Sequence, residues 1–270
     1  MRNASILRLV VRSILQEEAG ASKITDLIGR IQEINKKIVQ FYTKSAETEG
    51  EDLSSIEIPR FGINVGIDPG YRADISFAVS GITHSGDLEP STVLTIVKSA
   101  DANDLGSLMS AELPWGRITI GQNDHNPCLG AWNVAQTFPT SSGWGPILYD
   151  VAIEVATREA GGLTSDRSEV SNAARAVWDK YDTARSDVEK VQLDLSDDDI
   201  QNWMAEDEDQ EPLRHLTPQK DDDCTQWSAI QDPRYYMWDA SPLSRLYRKP
   251  PTAMSALQAQ GLLFTRKMML

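Results

Sequence analysis

The sequence predicts an α+β fold, with an α/β sheet protein as the alternative, because two hydrophobic patterns follow one another along its 270 residues. From Ile56 onward, short apolar runs are separated by turn-forming Gly, Pro and Asp residues, as is typical of strands. Between about residues 131 and 185, an extended run, a glycine-rich turn, a helix, a short strand and a second helix are predicted in that order. Together the two sections predict a sheet covered by helices.

Two amphipathic helices are predicted before the sheet. Over residues 4–18 the apolar side chains share one face, and Gly20 separates this segment from a longer helix from about Lys23 to Ser45. Core packing is favoured over partner contact for the longer helix. The N-terminal helical segment is placed at residues 1–50.

Four strands are predicted from the change in period after Ile56, with turns at Asp68-Pro69-Gly70 and Ser85-Gly86-Asp87. The four predicted strands are Phe61–Ile67, Ala73–Ile82, Thr92–Lys98 and Arg117–Gly121.

The run Gly143-Trp144-Gly145-Pro146 lies between an extended segment, Ala131–Phe138, and a helix whose apolar residues begin at Ile147. The first N–H groups of a helix have no intrahelical partner, and the helix dipole favours anions there. Glycines let a phosphate approach the backbone, and Pro146 suits the first helical turn because no N–H is needed. A phosphate-binding turn and a tight turn without a ligand are equally favoured.

A short strand over Gly161–Asp166 and a helix from Ala173 to about Arg185, capped by residues 168–172, follow this turn. The succession resembles the GNAT superfamily of N-acetyltransferases. In that family a Gln/Arg-x-x-Gly-x-Gly/Ala turn holds the pyrophosphate of acetyl-coenzyme A, and a mixed sheet splays open beside it. The second helix is similar to the family's Asn-x-x-Ala-x-x-Leu-Tyr-x-Lys pattern. The matching residues are Ser171, Ala174, Val177, Trp178 and Lys180.

The resemblance implies a mixed, mostly antiparallel sheet flanked by helices over residues 56–200. A helical or irregular extension at 201–270 would pack on this core. It also implies that acetyl-coenzyme A lies along the strand that precedes the turn, with its pyrophosphate over the turn. The implied cofactor-binding residues are Val134, Gln136, Phe138, Thr140, Ser141, Ser142, Gly143, Trp144, Gly145 and Pro146.

Two positions depart from the family pattern. Thr140 stands where the family has Gln or Arg, and Trp178 stands where a general-acid Tyr is frequent. An indole N–H cannot give a proton to a thiolate at neutral pH. Tyr181, one helical turn further on, is therefore the candidate catalytic residue, with a packing role as the alternative. Trp178 is predicted to be a packing residue.

Composition excludes some classes of function. A formal net charge of −14 argues against direct binding of nucleic acid, and no apolar run approaches the roughly 20 residues that span a bilayer. The two cysteines, Cys128 and Cys224, are far apart, so no disulfide and a reducing compartment, the host-cell cytoplasm, are expected. The acidic runs Asp194–Asp199 and Glu206–Glu211 are expected to be solvated, with no metal site.

In the C-terminal third, a strand over Val191–Leu195 and three helices are predicted. The helices are expected from Asp221 through Ile230, over Ser241–Lys249 and from Ala253 to Gly261.

Two functions remain open. The first is an acyltransferase that uses acetyl-coenzyme A on an unknown small-molecule or protein amine. The second is a catalytically inactive protein of this fold in a tailed-phage virion, where it would contact other virion proteins. Leu15-Gln16-Glu17 resembles the cleavage signal of tailed-phage prohead proteases. Thr140 and Trp178 favour the second function, and the intact Gly-x-Gly turn favours the first.

Overall fold

The computed structural model of the chain describes residues 24–40, 42–44, 46–48, 50, 52, 54, 58, 60–80, 116–122, 127–138, 143–206 and 216–268. The helix predicted over residues 4–18 and the strand predicted over Thr92–Lys98 lie outside these residues. Within the described part, no helix combines the length and the apolar character needed to cross a membrane.

Helix α1, over residues 24–40, packs its apolar face on the sheet, as its spacing predicts. Ile31 and Ile38 on this face are almost fully buried. Asn35 fixes the position of the helix, because its side-chain amide donates to the Phe61 carbonyl oxygen at 2.8 Å and its carbonyl oxygen accepts from the Phe61 N–H at 2.7 Å. The helix is therefore tied to the backbone of the first strand.

Ten strands form in the described part of the chain. In chain order they are β1 Arg60–Asp68, β2 Arg72–Ser80, β3 Arg117–Gln122, β4 Trp132–Phe138, β5 Leu163–Thr164, β6 Glu189–Gln192, β7 Asp194–Leu195, β8 Asp223–Cys224, β9 Arg245–Arg248 and β10 Leu263–Lys267. Eight of them build one sheet in the order β10-β1-β2-β3-β4-β5-β9-β6, and β7 and β8 form a separate parallel pair.

The large sheet is mixed and mostly antiparallel, which confirms the predicted fold class. Among the described strands of this sheet, only the pairs β1–β10 and β4–β5 are parallel. Strand β9 lies between β5 and β6, and β10 lies beside β1. The part of the chain after residue 200 therefore contributes two strands to the sheet in addition to the segments that pack around it.

Helices connect and cover the strands. They are α2 Gly145–Ala160, α3 Asn172–Ala184, α4 Asp197–Glu206, α5 Trp227–Ile230 and α6 Thr252–Ala259, together with 3-10 turns at Cys128–Gly130, Trp238–Ala240 and Pro242–Ser244. Helix α2 is the central one, because every residue from Ile147 to Ala156 is buried. It ends at Gly161, whose φ of 75° is a left-handed conformation that glycine adopts readily. Helix α3 begins with the Ser171 side chain accepting from the Ala174 N–H.

Two helix predictions in the C-terminal third are wrong. The segment from Asp221 enters β8 before a single helical turn, α5, because Asp223 and Cys224 pair with β7. The segment Ser241–Lys249 forms one 3-10 turn and then strand β9, which pairs with β5 on one side and β6 on the other. In both cases pairing with a strand distant in sequence outweighs a local capping pattern. The short helix predicted from Ala253 is confirmed as α6.

The expectation of unpaired cysteines is also wrong. Cys128 and Cys224 form a disulfide across 96 residues, with their Cα atoms 4.9 Å apart, and both are fully buried. Because the two cysteines are bonded, they no longer support a reducing compartment for the protein. The run Asp194–Asp199 is solvated only in part: Asp197 and Asp198 are exposed, whereas Asp199 is buried and the buried Asp194 carboxylate accepts from the Thr217 N–H at 2.8 Å.

Candidate functional site

The sheet opens between β4 and β5. These strands pair in parallel at only two positions, Trp132 with Leu163 and Asn133 with Thr164, whereas β4 continues to Phe138. No described strand pairs with the last five residues of β4 on the side of β5. Residues 135–138 are exposed. Among the described residues, no strand pairs with this edge of the outer half of β4, so its backbone N–H and C=O groups are candidates for binding an extended ligand.

Helix α2 begins at this opening. Gly143 has a φ of 82°, a conformation that side chains disfavour, and it turns the chain toward the helix. Trp144, at the N-cap, is buried and offers no side-chain acceptor to the first turn. The N–H groups of Gly145 and Ile147 thus precede the hydrogen-bonded part of the helix, as anion-binding helix starts require.

Arg30, on α1, adds a positive charge at this turn. Its guanidinium carbon lies 4.0 Å from the centroid of a Trp144 ring. One of its terminal nitrogens lies 3.8 Å from the position that a Cβ would take at Gly143. The exposed guanidinium and the helix dipole together favour an anion at the turn. The helical spacing of α1 predicts only that Arg30 is exposed, so nothing in the sequence associates it with residues more than a hundred positions away.

The three predicted ligand-contacting residues on β4 do not share one face of the sheet. A register shift between Thr119 and Ile120 pairs Val134 with Ile120 but Gln136 with Thr119. Val134 consequently lies on the buried, helix-covered face, whereas Gln136 and Phe138 are exposed on the other. A regular period-two pattern would place all three together, and the bulge that separates them cannot be seen in the sequence.

The predicted turn is described only in part. Gly143, Trp144, Gly145 and Pro146 lie at the start of α2, as the resemblance implies. Thr140, Ser141 and Ser142 lie outside the described residues.

Trp178 is a packing residue, as predicted. It is 1% exposed, and its ring meets Tyr149 edge-on at 5.7 Å between centroids. It also stacks on Tyr247 at 5.0 Å. These contacts place it at the junction of α2, α3 and the sheet.

Tyr181, the candidate acid, is enclosed in the same aromatic cluster at 2% exposure. Its hydroxyl lies 3.1 Å from an Asp150 carboxylate oxygen and 3.3 Å from the Pro146 carbonyl oxygen. Burial, reinforced by the negative charge of Asp150, raises the pKa of Tyr181 well above 10. The phenol therefore keeps its proton at neutral pH, but delivery of that proton to a ligand requires the ring to become accessible. The catalytic role of Tyr181 stays a prediction.

Three carboxylates form a cluster away from the opening. They belong to Asp194, Asp222 and Asp223, and one oxygen of each lies within 4.8 Å of the others. Asp194 accepts the backbone N–H groups of Leu216 and Thr217, so its charge caps a turn. We assign no metal to this cluster, because hydrogen bonds within the fold account for Asp194.

No protein-family model matches the sequence, and no curated protein or solved structure is significantly similar to it. The functional interpretation therefore depends on the geometry of the opening and of the turn.

Proposed function

We propose that the chain is a GNAT-like acyltransferase that uses acetyl-coenzyme A to acylate an amine. The observation that carries the proposal is the opening between β4 and β5, with the start of α2 beside it, where the N-cap residue Trp144 makes no side-chain capping bond. A mixed sheet that splays next to a glycine-containing turn is what the resemblance implies. The order strand, turn, helix, strand, helix over β4, α2, β5 and α3 supports the same assignment.

The cofactor would enter the opening as an extended chain. Its amide groups would pair with the backbone groups of residues 135–138 on β4, in the manner of an added strand. Its pyrophosphate would receive the N–H groups of Gly145 and Ile147, and the Arg30 guanidinium would supply a positive charge beside them.

The reaction needs little covalent chemistry from the protein. The neutral acceptor amine attacks the thioester carbonyl carbon, a C–N bond forms, the C–S bond breaks and the thiolate of coenzyme A leaves. The nitrogen loses one proton and the thiolate gains one. A backbone N–H of β4 would polarise the carbonyl oxygen, and alignment of amine and thioester would supply most of the rate enhancement. The sequence predicts Tyr181 as the donor of that proton, but its enclosure disfavours this role.

Calorimetric titration with coenzyme A and with acetyl-coenzyme A tests the proposal. We expect the wild type to bind both, and Gly145→Val to lose binding, because a β-branched side chain at the helix start blocks the phosphate. Gly29→Val is the matched control: Gly29 is helical, and an added Cβ there meets no heavy atom within 4 Å. Binding that survives Gly145→Val, or no heat from the wild type at millimolar ligand, contradicts the proposal.

The enclosure of Tyr181 favours one alternative, a catalytically inactive protein of a tailed-phage virion. In this alternative the partners are other virion proteins, and the fold serves for assembly. The acyltransferase is proposed to act in the cytoplasm of the host cell. A wild type that binds no coenzyme A but is incorporated into a particle would favour the structural alternative.

A further inference from the structure

Two buried side chains and one partly buried arginine join the start of α2 to the end of α3. Asp150, on α2, is 1% exposed. Arg185, the C-cap residue of α3, donates to its two oxygens at 2.7 and 3.3 Å. The Tyr181 hydroxyl, on α3, lies 3.1 Å from one of them. A buried carboxylate is stable only with such partners, so the three side chains fix one another's positions.

Arg185 is itself held from the other side. The Asp187 carboxylate accepts two hydrogen bonds from it, both at 2.7 Å. Its guanidinium carbon lies 5.0 Å from the centroid of the Tyr181 ring. With every part of the guanidinium engaged, Arg185 cannot swing away without breaking several contacts, and it holds Asp150 in a single geometry.

The cluster reaches the first turn of α2 through the same Tyr181 hydroxyl, which lies 3.3 Å from the carbonyl oxygen of Pro146. Pro146 is the second residue of α2 and Asp150 is one turn further on. Helix α3 follows β5, the strand on the other side of the opening. The contacts therefore tie the start of α2, which follows β4, to α3, which follows β5 on the other side of the opening.

From this geometry we infer that Tyr181 is a positioning residue: with Asp150 and Arg185, it holds the first turn of α2 where its N–H groups receive the cofactor phosphates. The inference rests on the proposed function. It differs from the role of general acid, because the hydroxyl acts through the helix start, where the Asp150 carboxylate and the Pro146 carbonyl oxygen share its single proton. The hydroxyl would then affect affinity for coenzyme A more than turnover at saturation.

The test compares Tyr181→Phe with Tyr247→Phe. Each substitution removes one buried hydroxyl and keeps the ring. The Tyr247 hydroxyl donates to the Pro242 carbonyl oxygen at 2.7 Å, away from α2, and its ring stacks on the same Trp178. We expect both variants to lose similar stability. Only Tyr181→Phe should bind coenzyme A more weakly, by about threefold to tenfold, which corresponds to one hydrogen bond.

Hydrogen exchange provides a readout without ligand. In Tyr181→Phe, the amides of residues 149–152, which bond back to the first turn of α2, should exchange faster than in Tyr247→Phe. Unchanged exchange there overturns the positioning role, whether or not coenzyme A binds. Retained affinity for coenzyme A with a large loss of turnover at saturation also overturns it and assigns Tyr181 to proton transfer. If the wild type binds no coenzyme A, the proposed function fails even where exchange shows that the cluster holds the helix.

Discussion

The indole ring of Trp178 stacks on the phenol ring of Tyr247, with their centroids 5.0 Å apart and their planes inclined by 27°. The stack joins α3 to β9, the strand between β5 and β6 in the sheet. Tyr149 completes the cluster by meeting Trp178 edge-on. Because aromatic pairs stabilise a fold beyond the apolar area that they bury, this cluster helps to hold α3 to the sheet.

Trp178→Ala is expected to lower the free energy of unfolding by about 3–5 kcal/mol, because it leaves a cavity between α2, α3 and β9. Chemical denaturation followed by circular dichroism measures the change. Tyr236→Ala is the control, since the Tyr236 side chain is fully exposed and should tolerate truncation. Equal stability of the two variants would show that α3 does not depend on the stack.

A buried ion pair joins Lys249 to Glu154, with both side chains 0% exposed. Glu154 also accepts the N–H groups of Ala253 and Met254 at the start of α6, each at 2.7 Å. Lys249 has the Thr252 hydroxyl as its nearest other partner. Glu154→Leu thus leaves a buried cation and an uncapped helix, and we expect it to destabilise the protein by about 3–5 kcal/mol.

Lys249→Met should destabilise less than Glu154→Leu, because the carboxylate keeps two N–H donors and the helix dipole. The order of the two unfolding free energies, from urea denaturation at neutral pH, checks this asymmetry. A larger loss from Lys249→Met would mean that the ammonium group, and not the helix cap, dominates the contact.

The free energy of unfolding should decrease at low pH because the Asp232 carboxylate becomes protonated. Burial alone would raise the pKa of this carboxyl group, but hydrogen bonds from Arg234 and Ser241 outweigh it and lower the pKa to about 2. Arg175 contacts the same carboxylate at 3.0 Å. A pKa lowered by folding gives stability that is complete above the unfolded pKa near 4 and is lost as the pH falls toward 2.

The expected contribution of Asp232 is about 2 kcal/mol or less. Urea denaturation of the wild type and of Asp232→Asn between pH 5 and pH 2 measures it. The wild type should lose more stability than the variant over this interval. Parallel curves would show that Asp232 has the same pKa in the folded and unfolded chains.

The disulfide should stabilise the fold strongly, because it closes a loop of 96 residues between Cys128 and Cys224. Loop-closure entropy for this length is about 4–5 kcal/mol, and measured values are commonly lower. Thiol alkylation of the unfolded protein should label neither cysteine without reductant and both cysteines with it. Labelling of the unfolded protein without reductant would mean that the cysteines are not bonded in solution.

The sequence predicts the elements whose signals are local. The spacing of apolar residues predicts α1, and the glycine turn with Pro146 predicts the start of α2. Ser171 predicts the start of α3 through its cap. In each case residues close in the chain determine the conformation, so a short window contains the information.

Features that depend on distant partners are not predicted. Strand β9 follows a capping pattern, Ser241-Pro242, that predicts a helix, yet its place between β5 and β6 makes it a strand. The disulfide depends on β8 lying beside the 3-10 turn Cys128–Gly130, where the Leu129 N–H donates to the Asp221 carbonyl oxygen, and a separation of 96 residues does not indicate this contact. Arg30 joins the candidate site for the same reason, because the packing of α1 brings it to Trp144.

The location of coenzyme A can be read from the amide chemical shifts of ¹⁵N-labelled protein during titration with coenzyme A. The largest shifts should fall on residues 134–138 of β4 and on residues 143–148 at the start of α2. Resonances of the opposite edge of the sheet, residues 263–267, should stay in place. No shifts at millimolar coenzyme A, or shifts confined to residues outside the opening, would show that coenzyme A does not bind between β4 and β5.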